Sequence, residues 1–345
     1  MSAHPVVLAV VAVDLLASLC WVVAAAGAIP VAAGWKAGAA TREQLLLERR
    51  AEEVSSLARL GFGLYGAATF SLLIAINHVL PSIVPGAMCG VGVLQAMPGG
   101  WLALAVRLLA FLSLWGWAVL DALDRRAPLA PLATASARAL LVAIPVAWVA
   151  AWQTGEALLY VDVQHPVSCC AVVYDLARED TASSAFAVAG DGHTVAVALA
   201  GLALLAFVLF LRRRAARALP AGWVATVFAL GAFGWAVLAA WVLVDVAAPY
   251  LYGVLGHRCP LCFFLPHHHG VGYPLFGALL AAIAGSVALA VASNAAARAP
   301  SIVPSARAFV RWATVAVVTG VALFSVLAAG PALVWRLRFG VWIGG

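Results

Sequence analysis

Long uninterrupted apolar runs constrain this chain more than any other feature. Residues 6–33 contain a single charged side chain, Asp14, and comparable stretches recur along the whole length. A bilayer core needs about 20 apolar residues per helix. Inside it, every backbone amide must be satisfied within its own segment, so an apolar run of this length is helical. Eight spans can be drawn, at about 6–33, 61–80, 101–123, 140–161, 194–211, 223–248, 273–293 and 312–334. The fold class expected is all-α: one polytopic transmembrane helical domain over residues 1–345, with the lipid bilayer as its first partner. A transmembrane β-barrel would alternate apolar and polar residues in short segments, and these runs are apolar on every side. Only 10% of the residues are charged, where soluble chains carry about 25%.

The basic residues set an orientation. Lys36, Arg42, Arg49, Arg50 and Arg59 follow the first span, and Arg125, Arg126 and Arg138 follow the third. Arg212, Arg213, Arg214 and Arg217 follow the fifth, and Arg298, Arg307 and Arg311 the seventh. The alternate loops hold only Arg178 and Arg258, while the C-terminal tail carries Arg336 and Arg338 mildly against the rule. Basic loops stay cytoplasmic, so both termini are expected outside, in a multi-pass protein of the bacterial inner (plasma) membrane. Basic residues this segregated describe topology rather than a nucleic-acid face, and no nucleic-acid partner is expected. Residues 41–60 interleave charges with leucines on one helical face, which predicts a helix lying on the inner membrane surface.

Once the orientation is set, the reactive residues collect on the outer side. Cys89, Cys169, Cys170, Cys259 and Cys262 fall in outward loops, leaving only Cys20 within a span. All eight histidines map outward too. Such loops meet an oxidising compartment in which cysteines form disulfides or take up metal ions. An odd number of outward cysteines does not fit static stapling alone. Asp14, Arg107, Glu156, Asp245 and the pair Asn77-His78 lie in the outer halves of their spans. Ionisable groups at that depth face one another or a wet cavity. The expectation is a polar cavity open to the outside, with Arg107 paired to Asp14, Glu156 or Asp245.

The densest reactive stretch is Gly256-His-Arg-Cys-Pro-Leu-Cys-Phe-Phe-Leu-Pro-His-His-His-Gly270. A C-x-x-C spacing closes a disulfide or holds one soft metal ion without long-range help. Together with the preceding Ala248-Pro-Tyr-Leu-Tyr-Gly-Val-Leu and the span that follows, it resembles the redox-active segment of DsbB-type disulfide oxidases. The resemblance covers about residues 248–290. It implies electron transfer from a periplasmic thiol protein, through two cysteine pairs, to a membrane quinone. Cys259 and Cys262 would be the quinone-proximal pair. Cys169 and Cys170, or one of them with Cys89, would be the partner-facing pair. That family has four spans and an arginine after the motif. Here Leu265-Pro-His-His-His269 stands in that place, leaving Arg258 or a protonated histidine to contact the cofactor, with Arg107 as a second basic candidate.

Two rival readings use the same residues. Cys259 and Cys262 with His257, His267, His268 and His269 form a ligand set for Cu or Zn, supplied by a metallochaperone. Alternatively, disulfides staple the outer loops of a non-catalytic subunit that docks a periplasmic partner. No histidine lies deep in a span, as paired haem ligation would require. No phosphate-binding Gly-rich loop follows a strand. A thiol–disulfide oxidoreductase is thus the enzymatic reading, with the metal and structural readings beside it.

Overall fold

The computed structural model describes residues 4–167, 198, 200–210, 213, 219–253 and 257–341. Every regular element among them is helical. The helices are α1 (Pro5–Gly34), α2 (Arg42–Ile74), α3 (Gly90–Ala96), α4 (Gly100–Asp124) and α5 (Ala133–Leu159). These are followed by α6 (Ala200–Phe210), α7 (Gly222–Val242), α8 (Ala248–Tyr252), α9 (Gly272–Arg298) and α10 (Val303–Phe339). Seven helical segments among the described residues are long and apolar enough to cross a membrane, which makes this a multi-pass membrane protein. The expected span at 194–211 is described only as α6, a shorter apolar helix. The remainder of that span lies outside the described residues.

The helices form two groups. In the first, α1 packs along α2 and α5, and α4 along α5. Its core holds Trp21, Tyr65, Leu114, Trp117 and Leu140. In the second, α9 lies between α10 and α7. Lipid is as apolar as leucine, so membrane helices associate through close packing of small residues. The buried face of α9 follows that rule, with Ala278, Ala282, Gly285, Ser286, Ala288 and Ala292. Gly320 of α10 comes so close that a Cβ there would stand 2.6 Å from the Ala278 carbonyl oxygen. The seam between the groups is α4 against α9, where Trp115 Nε1 donates to the Ala284 carbonyl at 2.9 Å. Outward faces carry Leu15, Leu16, Leu19 and Val23 on α1, with Trp152, Leu230 and Val326 on other helices. That surface suits lipid.

One expectation is corrected here. Residues 41–60 do not form a separate surface helix; they are the first half of α2. No proline or polar break falls between Leu57 and Gly61, so the backbone hydrogen bonds continue unbroken. A helix of this length reaches roughly 50 Å, beyond the bilayer core. Thr41 caps its start by accepting from the Gln44 amide at 3.2 Å. Its charges tie it to α4. Arg59 pairs with Asp121, Arg125 approaches the same carboxylate at 3.6 Å, and Ser55 donates to it at 3.1 Å.

Two helices end in a single π turn at one end of the molecule. Ala75–Val79 extends α2, and Leu243–Ala247 joins α7 to α8. Such insertions rotate the side chains that follow and recur beside functional sites. They place Asn77-His78 and Asp245 around the cysteine-bearing loops.

Candidate functional site

Cys89 stands immediately before α3, in the loop that follows the first π turn. Its loop runs against the Cys259-Pro-Leu-Cys262 turn. Proline at 260 favours an extended Cys259, after which Cys262–Phe264 closes a tight 3-10 turn. Leu261, Phe264, Ile76, Leu80, Val93 and Leu94 share one hydrophobic cluster, with Cys259 packed against it. Leu261 therefore acts as a plug that seats the C-x-x-C turn on the Cys89 loop.

The close approach depends on Gly90. A Cβ at that position would lie 2.6 Å from Asn77 Oδ1 and 2.9 Å from both Ile76 Cγ2 and Leu261 Cδ1. Asn77 is itself buried. Its amide nitrogen donates to the Leu73 carbonyl at 2.8 Å.

The outcome is a three-sulfur centre. Cys89 Sγ and Cys259 Sγ are 3.1 Å apart, and the sulfurs of Cys89, Cys259 and Cys262 all lie within 4.8 Å of one another. Cys89 is 0% exposed and Cys262 4%, while Cys259 is half-buried. No disulfide links the described cysteines. The Cys259 thiol is pulled down to about 4 from its ordinary 9.0. The main cause is thiol donation from Cys262, then from Cys89, with the backbone amides of Cys262 and Leu261 adding to it against the opposing effect of burial. Cys262 moves upward for the reciprocal reason, because its proton is held between neighbouring sulfurs. The centre thus pairs one thiolate, Cys259, with a protonated neighbour, Cys262. That is the pairing nucleophilic exchange requires.

An aromatic and histidine shell encloses it. The Tyr252 hydroxyl donates to the Cys259 carbonyl at 2.6 Å. Its ring stacks on Phe263 at 4.9 Å and meets His257 and His268, each at 4.5 Å between ring centroids. His267 packs on His268 at 4.3 Å, and His269 adopts a left-handed turn conformation at φ 55°. His257 and His268 are both shifted below the usual imidazole range, chiefly by burial and then by neighbouring histidines. On the opposite flank, His78 of the first π turn meets the Tyr273 hydroxyl at 2.8 Å. Arg258 pairs with Asp245 of the second π turn at 3.4 Å.

The residues singled out from sequence are thus distributed unevenly. Cys89, Cys259 and Cys262 converge. His257 and His268 pack on Tyr252, with His267 on His268 and His269 next in the same turn, whereas the one set of three or more ligand-type groups lying this close, among the described residues, is all sulfur. Cys169 and Cys170 lie outside the described residues.

Arg107 occupies a separate buried site. It makes a two-pronged pair with Asp14 at 2.8 and 2.9 Å. It also donates to Thr69 at 2.9 Å and Thr154 at 3.0 Å, and lies over the Tyr65 ring at 4.5 Å. At 1% exposed, it faces side chains where an open polar cavity was expected. Glu156 is exposed, and Asp245 serves Arg258 instead. A small hollow of about 10 Å³ beside Thr154 is otherwise lined by apolar residues such as Leu72, Leu94 and Leu158.

No sequence signal marks Leu261 or Gly90 for this site, whereas Tyr252 reads from the sequence as an interface anchor or the lining of a quinone slot.

Comparison with protein-family models, curated proteins and solved structures finds no match.

Proposed function

We propose that this protein is a membrane thiol–disulfide redox protein whose centre is Cys89, Cys259 and Cys262. One observation carries the reading: two loops far apart in sequence deliver three sulfurs to within 4.8 Å, with two of them 3.1 Å apart. Static stapling needs two sulfurs per bond and gains nothing from a third, whereas exchange needs an attacking thiolate, a target sulfur and a leaving sulfur in one place. Cys259 supplies the stabilised thiolate. Cys89 and Cys262 are its two alternative partners.

In one turnover, two thiols of the centre become a disulfide and release two electrons and two protons. The local resemblance to DsbB-type oxidases makes a membrane quinone the acceptor and a periplasmic dithiol the donor, the dithiol leaving as a disulfide. Rings suited to an aromatic acceptor surround the C-x-x-C turn: Tyr252 with Phe263, and Phe264 with Phe276 and Tyr273. A quinone bound there would take up the two electrons and protons. Arg258 and its partner Asp245 stand at the same end.

The partner-facing pair in this reading is Cys169 with Cys170, or one of them with Cys89. Val167 packs on the loop that carries Cys89, its amide donating to the Pro85 carbonyl at 3.0 Å. The basic-loop bias supports eight spans with both termini outward, placing the three sulfurs on the periplasmic side of a bacterial inner membrane.

Thiol trapping of the purified protein tests the reading. Alkylation after incubation with a short-chain quinone, and after a dithiol, should report Cys259 and Cys262 in different redox states. If both cysteines keep one state throughout, the redox reading fails.

A further inference from the structure

We propose that the reduced centre is also a three-thiolate binding site for a soft monovalent ion of the copper(I) class. The ion and the disulfide would then be mutually exclusive occupants of Cys89, Cys259 and Cys262. The inference shares its sulfurs with the redox reading but does not require catalysis.

The donor set selects the ion. Thiolate ligands favour soft ions, copper(I) foremost among those available to a cell, while carboxylates and carbonyls suit hard ones. Here the three donors are all sulfur and lie within 4.8 Å of one another. Sulfurs around one ion at a metal–sulfur length of about 2.3 Å stand about 3.8–4.0 Å apart. The 3.1 Å pair and the 4.8 Å limit straddle that spacing, so sub-ångström side-chain adjustments close the site. Structural zinc is almost always four-coordinate, and among the described residues the cluster includes no histidine nitrogen or carboxylate within this limit. A three-coordinate ion needs no fourth donor.

The surroundings fit as well. Cys89 and Cys262 are buried and Cys259 packs against an apolar cluster, which shields a bound copper(I) from water. Cys259 is half-buried, which makes it the sulfur an incoming ion meets first. Binding deprotonates whichever of the three sulfurs is a thiol and so releases protons. Joining Cys89 to Cys259 as a disulfide would instead remove two of the three donors.

The test uses the detergent-solubilised full chain, reduced under anaerobic conditions and titrated with Cu(I) against a colorimetric Cu(I) chelator. One equivalent should bind, with a sulfur-only shell by X-ray absorption. Affinity should fall by more than roughly tenfold in Cys89→Ser and in Cys262→Ser. The unmutated chain, oxidised beforehand or alkylated with N-ethylmaleimide, should bind none, and this comparison holds even where a serine variant folds poorly. Nitrogen in the shell, or equal binding by reduced and oxidised protein, overturns the proposal. So does Zn(II) occupying the same sulfurs in preference to Cu(I). Thiol exchange assayed separately under a metal chelator reports on the redox reading: exchange without Cu(I) binding sinks only the present proposal, and binding without exchange sinks only the other.

Discussion

The sulfurs of Cys89 and Cys259 stand 3.1 Å apart although 170 positions separate them in the chain. That distance is shorter than an ordinary non-bonded sulfur contact and about 1 Å longer than a disulfide. Mild oxidation should therefore join Cys89 to Cys259, and peptide mapping by mass spectrometry should recover the cross-linked pair. Cys259→Ser should abolish this product, whereas Cys262→Ser should retain it. Recovery of Cys259–Cys262 alone from the unmutated chain would contradict the preference.

Gly90 should control how readily that bond forms. Any side chain there collides with Asn77, Ile76 and Leu261, and Leu261 is the residue that seats the C-x-x-C turn. Misplacing reacting groups by about 1 Å can cost on the order of 10²-fold in rate. Gly90→Ala should slow Cys89–Cys259 oxidation on that scale while leaving the helical content intact. Adding Asn77→Ala, which removes the nearest of the colliding atoms, should restore part of the rate. A Gly90→Ala chain that oxidises at the normal rate would show that the two loops do not depend on this contact.

The pH dependence of alkylation should reveal the divided thiols. An isolated cysteine gains reactivity as pH rises toward its ordinary value of 9.0, but Cys259 is held down to about 4. Its labelling by iodoacetamide should be nearly flat between about pH 6 and 8, since the thiolate is already formed across that window. Removing its main hydrogen-bond donor in Cys262→Ala should return a rising profile. The linkage sign follows: a folded value below the unfolded one gives stability that is complete above about pH 9 and declines as pH falls toward about 4.

The transmembrane helices were legible in the sequence because lipid leaves an apolar run no alternative to a helix. A run such as residues 6–33, with Asp14 as its lone charge, carries that signal by itself. Asp14 was also among the three partners considered for Arg107, since a guanidinium at membrane depth must find a carboxylate. The meeting of Cys89 with Cys259 could not be read in the same way. It depends on a π turn that positions Asn77, on a missing side chain at Gly90, and on Leu261 entering a cluster built from α2, α3 and the loop between them. These are tertiary relationships without a sequence period. The continuity of α2 was missed for a different reason. An amphipathic stretch that runs into an apolar one reads as two elements, although nothing between Leu57 and Gly61 interrupts the backbone hydrogen bonds.

Low pH should loosen the histidine shell before it disturbs the membrane helices. His257 and His268 are held neutral by burial and by neighbouring histidines, with folded values below the ordinary 6.5. Their depressed values give stability that is complete above about pH 6.5 and is lost as pH falls through the folded values. The groups that face them share the sign or are neutral: His267 and His269 on the same turn, and Tyr252 between them. Hydrogen exchange of 257–271 should accelerate below about pH 6, while α4 and α5 stay protected. His268→Asn should shift or blunt that transition. Uniform exchange across this pH range would exclude the histidines as its cause.

Arg107 should prove to be a structural residue for the first helix group, separate from the thiol centre. Its charge is matched by Asp14, and its remaining donors reach Thr69 and Thr154. Breaking a buried pair from one side leaves an unpartnered charge, a loss of about 3–5 kcal/mol. Arg107→Met should therefore lower the melting temperature sharply by stranding Asp14. The double replacement Arg107→Met with Asp14→Leu should recover much of the loss, because a buried ion pair exchanged for apolar groups of similar size is often neutral or better. Neither variant should alter the rate of Cys89–Cys259 oxidation once folded. If Arg107→Met keeps full stability but slows oxidation, the residue acts on the thiol centre, and the separation drawn between the two sites is wrong.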